Sequence, residues 1–213
     1  TFCRRLGLAL AGRSGPTLLH HRVRLSAGEK EDLRMWSKFL QDCNGIAIES
    51  VKAVTSWDFQ ICSDAAEAGG FGIYWNGHWC AEQWPDTWKN GGRSIAFLEF
   101  FPLVVALNLW GDQFSGKKVA FRVDNMTVVE VVNRQSARDA HVLKLLRVFA
   151  YECMVRNIVF KASHVPGVDN DIADALSRSQ WKRFHGLATG ADAQRTKMPV
   201  ALWQIGSRGF CSW

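Results

Sequence analysis

The stretch from Trp57 to Trp84, WDFQICSDAAEAGGFGIYWNGHWCAEQW, decides the fold. In its first part Phe59 and Ile61 alternate with Gln60 and Cys62, the period-two pattern of a strand ending at Asp64. Ala68-Gly69-Gly70 turns the chain into a second strand, Phe71 to Trp75. Asn76-Gly77 then supplies the two left-handed residues that a tight hairpin needs, and His78 to Trp84 returns as a third strand. Three antiparallel strands are expected in succession.

Downstream, the period changes. Ser94 to Trp110 reads as a long apolar helix, kinked at Pro102. Lys118 to Asp124 reads as a strand, and Met126 to Asn133 as a helix. Asp139 to Arg156 is amphipathic at helical spacing, with Val142, Leu145, Leu146, Phe149 and Met154 inward, and Asn157 closes it. Ile158 to Ala162 is a further strand, and Asn170 is placed to cap a last helix through Ala173 and Leu176. The order β-β-β-α-β-α-α-β-α predicts an α/β fold with a mixed five-stranded sheet. Its antiparallel meander is followed by parallel crossovers, with helices flanking.

Upstream, the first 25 residues lack periodicity, and Gly12 to Pro16 reads as a loop. Ser26-Ala27-Gly28-Glu29 is a capping box opening a helix that carries Leu33, Trp36, Phe39 and Leu40 at helical spacing, stopped by Asn44-Gly45. Beyond Ser179 only a short helix, Gln180 to Leu187, and a polar linker are expected. The division is therefore an extension over 1–56, a core domain over 57–178 and a tail over 179–213.

Hydrophobic residues are 47 % of the 213-residue chain and charged residues 22 %, which excludes wholesale disorder. The six cysteines form no C-x-x-C pair and no zinc spacing, and they read as free thiols acting as small core hydrophobes. No signal peptide opens the sequence and no charge-free run reaches membrane-spanning length, so an intracellular, soluble protein without a membrane partner is expected. The net charge of +6 divides as +4 over 1–56, −2 over 57–178 and +4 over 179–213. Basic flanks suit nucleic acid and suit a merely solvated surface equally well. No cluster of basic residues stands out within 57–178.

Four acids in the middle segment draw the chemistry. Asp64 ends the first strand and could serve only as a turn former. Glu99 is the one charged residue among the sixteen from Ser94 to Leu109. Burying a lone carboxylate costs several kcal/mol unless a cation meets it. Arg93 or Arg122 could be that cation, as could a metal. Asp124 closes the strand from Val119 and could instead be a helix N-cap. Asp174 lies one turn into the last helix, where an acid also favours the helix dipole. Four such carboxylates converging would suit hard divalent cations, above all Mg²⁺, and the hydrolysis of a phosphodiester. Trp75, Trp79, Trp84 and Trp88 could stack on nucleic acid, but a hydrophobic face under the long helix accounts for them better.

Ser63-Asp64-Ala65, the Glu99 helix, Val123-Asp124-Asn125 and the ending His164-Val165-Pro166-Gly167…Asn170…Ala173-Asp174-Ala175-Leu176-Ser177-Arg178 resemble the ribonuclease H domain of retroelement reverse transcriptases. The ending is similar to gypsy-type and DIRS-type retrotransposons, and Leu98-Glu99-Phe100-Phe101-Pro102 with Ala106-Leu107-Asn108-Leu109-Trp110-Gly111 looks closest to the DIRS type. The resemblance implies a D-E-D-D metal site at Asp64, Glu99, Asp124 and Asp174. Two Mg²⁺ ions would be held there, with Mn²⁺ able to substitute. It implies that His164 aids proton transfer or product departure, although His164 could equally structure the Pro166-Gly167 turn. It further implies hydrolysis of the RNA strand of RNA/DNA hybrids, with a polymerase domain of the same polyprotein as partner. Residues 1–56 would then be the end of the polymerase region. A catalytically inactive scaffold that binds nucleic acid or the polymerase is the alternative, and an integrase-like phosphotransferase a third.

Overall fold

The computed structural model describes residues 24–42, 54–89 and 92–205, with Gly7. The loop expected at 12–16 and the Asn44-Gly45 stop lie outside these residues. Five strands form one sheet: β1 (Phe59–Ala65), β2 (Gly70–Trp75), β3 (His78–Gln83), β4 (Lys118–Val123) and β5 (Val159–His164). Their spatial order is β3-β2-β1-β4-β5, with β1–β2 and β2–β3 antiparallel and β1–β4 and β4–β5 parallel. This is the mixed sheet the sequence predicts. Asn76 (φ 49°) and Gly77 (φ 91°) both take positive φ, the twist that a two-residue hairpin imposes.

Helix α1 (Ala27–Asp42) opens with the expected capping box: Ser26 N–H donates to Glu29 and Glu29 N–H donates to Ser26. The short α2 (Asp86–Lys89) leads to α3 (Ile95–Trp110), which continues through Pro102 as one element. Then come α4 (Met126–Arg134), α5 (Ala140–Val155), α6 (Asp171–Ser177) and α7 (Trp181–Leu187). Helix α1 docks on α5 through the buried Arg147, which meets Asp32 and Glu31. Asp139 caps α5 and also accepts from the Ser94 hydroxyl that caps α3, so the two helix starts are tied together.

Helices α3, α4 and α5 cover one face of the sheet, meeting Ile61, Ile73, Phe121 and Val123 in the main core. Helices α6 and α7 cover part of the other face, in a second core of Trp79, Ala81, Ala175, Leu176 and Phe184. All four tryptophans weighed above are buried. Trp75, Trp84 and Trp88 lie in the main core as expected, but Trp79 faces the second core, against Phe184. Cys62, Cys80 and Cys153 are free thiols.

The short helix expected after Ser179 forms as α7, but the rest of the segment, expected as a polar linker, is built into the fold. Its α7 contributes Phe184 to the second core. The chain then runs beside the β3 edge, where Asp192 N–H donates to Gly77 and Thr196 N–H donates to Trp79. It ends with Met198, Leu202 and Ile205 in the main core, and Trp203 stacked on Phe101. Polar composition hid a strap that shields an open strand edge.

Gly72 lets α6 approach the sheet. A Cβ there would stand 2.4 Å from Leu176 Cβ and 2.6 Å from the Ala173 carbonyl. Gly72→Ala must therefore push α6 off β2, at about 1–3 kcal/mol. Thermal unfolding should show a fall of roughly 3–10 °C, and an unchanged Tm would mean that the contact is not tight.

Candidate active site

The parallel register places two acids. Phe59 faces Val119 and the pairing runs to Cys62 against Arg122, where it stops. Asp64 and Asp124 each lie two residues further on, so they stand level, on the same side of neighbouring strands. Asp64 is not a turn residue: it sits within β1 opposite Gly72 and is buried. Asp124 is not the helix cap either. Asn125 takes that place, its side-chain oxygen accepting from Thr127 and Val128 N–H.

Glu99 comes from the main core on α3 and is 5 % exposed. Neither arginine available to it becomes its partner. Arg93 reaches His141 and lies over the rings of Trp88 and Phe97, while Arg122 stands beside Cys62. One Glu99 oxygen, Oε2, is buried without a hydrogen bond. One oxygen from each of Asp64, Glu99 and Asp124 lies within 4.8 Å of the other two. Three carboxylates this close, one with an orphaned oxygen, offer donors that could hold a hard divalent cation.

Their mutual repulsion is legible in their acidities. Burial, then the charges of Asp124 and Asp64, push the Glu99 carboxyl up to about 9. Burial raises Asp64 to about 6; the Ser177 hydrogen bond opposes this, while the nearby Asp124 and Asp174 add to it. A cation arriving here would displace a proton from Glu99 at neutral pH.

Asp174 is the fourth expected ligand, and it is not among the three that converge. Arg178 Nε donates to its Oδ1 at 2.6 Å and Arg183 Nη1 to its Oδ2 at 2.5 Å. Partial burial acts to raise its pKa, but these two guanidiniums hold the carboxyl below its usual value. Its charge nevertheless reaches Asp64. His164 closes β5 opposite Val123, the neighbour of Asp124, and is exposed to solvent. The turn after it brings Gly167 alongside Asp124, with room for a Cβ 3.9 Å from the carboxylate.

Two residues outside the acid set brace it. Ser177 Oγ hydrogen-bonds the Asp64 carboxylate and also donates toward the Asp174 carbonyl. Asn170 precedes α6, but its side chain makes no cap. Its Nδ2 donates instead to the Ser63 carbonyl at 2.9 Å, beside Asp64, and its main-chain oxygen accepts from Asp174 N–H. Helix spacing made Asn170 look like a local cap; the cross-chain bond has no local signal.

No protein-family model matches the chain, and no curated protein matches it. Solved structures do. Ribonuclease H1 from the archaeon Halobacterium salinarum aligns at 19 % identity and a TM-score of 0.40, over 58 % of this chain and 96 % of its own. The N-terminal ribonuclease H domain of Rv2228c from Mycobacterium tuberculosis aligns at 16 % identity and 0.40, over 63 % and 97 %. The LC11 ribonuclease H1 isolated from compost aligns at 17 % and 0.36, over 58 % and 96 %. The fold of this chain is α/β, one mixed five-stranded sheet, antiparallel then parallel, with helices on both faces. No helix among the described residues is long and apolar enough to cross a membrane.

Proposed function

We propose that this chain is a divalent-metal-dependent ribonuclease H that hydrolyses the RNA strand of RNA/DNA hybrids. The convergence of Asp64, Glu99 and Asp124 carries the reading, because a protein with no ion to hold gains nothing from three carboxylates facing one another. Those three would hold Mg²⁺, with Asp174 joining once it leaves its arginines. When bound, Mg²⁺ would acidify the attacking water and stabilise the leaving oxygen of the phosphodiester. The protein supplies the rest. Ser177 and Asn170 fix the strand that carries Asp64 against α6. The two parallel strand ends hold Asp64 and Asp124 level, and α3 presents Glu99 between them. Exposed His164, beside Asp124, can accept a proton or help release product.

The His164-to-Arg178 ending supports a retroelement setting, within a reverse transcriptase whose polymerase domain would share the hybrid. Discrimination would come from 2′-hydroxyl contacts and hybrid shape, not base sequence. The test is cleavage of a labelled RNA/DNA hybrid by the purified chain, with Mg²⁺ or with EDTA. RNA-strand cleavage only with the metal is expected. A folded chain inactive in both Mg²⁺ and Mn²⁺ would point to the non-catalytic scaffold.

A further inference from the structure

The second core draws on β2 and β3, and α6 packs mainly on β2 and β1. On that same side, β4 and β5 carry no helix among the described residues. Register and alternation put Gln60, Lys118, Arg122, Lys161 and Ser163 on this uncovered strip, with the buried Ala120 and the half-buried Val159 among them. Gln60 and Lys161 are exposed, and Lys118, Arg122 and Ser163 half-buried. Asp64 and Asp124 stand at the end of the same side-chain rows. Arg122 is one step from Asp124, about 6–7 Å along the strand. Lys161 sits on the next strand opposite Ala120, and Lys118 one step further out.

We propose that this strip is a binding track for the sugar–phosphate backbone of the nucleic-acid strand that continues from the cleaved bond. The inference rests on the nuclease reading above and adds where the substrate runs. Charge complementarity selects the occupant: Arg122 and Lys161 set cations on the strip, beginning next to the acid trio, with the polar Gln60 and Ser163 beside them. A protein partner is less suited, because none of the large exposed hydrophobic residues lies on β1, β4 or β5, and protein interfaces need an apolar centre. Strip residues also include no aromatic ring to stack on a base, so the contact is with phosphates and indifferent to sequence.

The experiment compares the full chain with Arg122→Gln/Lys161→Gln, and with Lys161→Glu alone in case the double variant folds poorly. Lys30→Gln/Lys89→Gln, on α1 and α2, is the charge-matched control. Binding to a fluorescent RNA/DNA hybrid is followed by anisotropy in EDTA across a salt series, and cleavage in Mg²⁺ gives KM and kcat. The double variant should bind about tenfold more weakly, and its log Kd against log salt should lose roughly two units of slope. Its KM should rise with kcat unchanged, and the control should match the parent. Unchanged Kd and slope in a variant that cuts like the parent would overturn the track and leave the nuclease reading standing. A lowered Tm with unchanged Kd would overturn it too, since the chain itself would then cover the strip. If the parent binds but never cuts, the nuclease reading fails, and the salt slope alone decides the track.

Discussion

Asp124→Asn is expected to lower kcat for hybrid cleavage by about 10³-fold or more while the protein stays folded. Asparagine keeps the size and one oxygen of the side chain but gives up the charge that a cation needs. The cap of α4 is untouched, because Asn125 provides it. Stability should hold or rise slightly in EDTA, since one of three facing carboxylates has been neutralised. Kinetics and Tm therefore move independently, which separates loss of chemistry from loss of fold. Cleavage within a few-fold of the parent would remove Asp124 from the site and the proposed function with it.

The second large effect concerns pH. Glu99 titrates near 9 in the folded, metal-free protein against an ordinary value of 4.5. Between those values the folded chain holds a proton that the unfolded chain has released. Stability therefore falls as pH rises through that window. Asp64, raised to about 6, adds a smaller slope of the same sign in the lower part of the range. Glu99→Gln should flatten most of this dependence and stabilise the protein in EDTA by about 2–4 kcal/mol near pH 9. Mg²⁺ should do for the parent what the substitution does, raising its Tm at pH 8 and leaving the variant's nearly unchanged. Urea unfolding at pH 5 and pH 9, with and without Mg²⁺, checks all three. A variant with the same pH slope as the parent would show that Glu99 does not carry the strain.

Much of this was legible in the residues. Alternation and Asn76-Gly77 gave away the meander, because both are local signals. Glu99 stood out because a charge in an apolar helix has no local reason to be there. The ambiguities at Asp64 and Asp124 could not be resolved locally. A strand-end acid and a cap read alike until the parallel register sets Asp64 level with Asp124, and until Asn125 is seen to make the cap. β5 runs on to His164, past the expected end at Ala162, because Arg122 and Val123 continue to pair with it. The tail hid its role since Trp203 and Leu202 find their partners far away in the chain. Arg122 and Lys161 looked scattered because a sheet gathers alternate residues from separate strands, and a linear scan for basic runs cannot see that.

The bonds that brace Asp64 span most of the domain: Asn170 to Ser63 is 107 residues apart in sequence, and Ser177 to Asp64 is 113. The strand bearing the first acid is thus synthesised long before the helix that steadies it. A nascent chain can pair its sheet while its acid cluster still lacks that brace. A chain broken off before α6 would be left with the carboxylates of Asp64, Glu99 and Asp124 but without the clamp that braces Asp64.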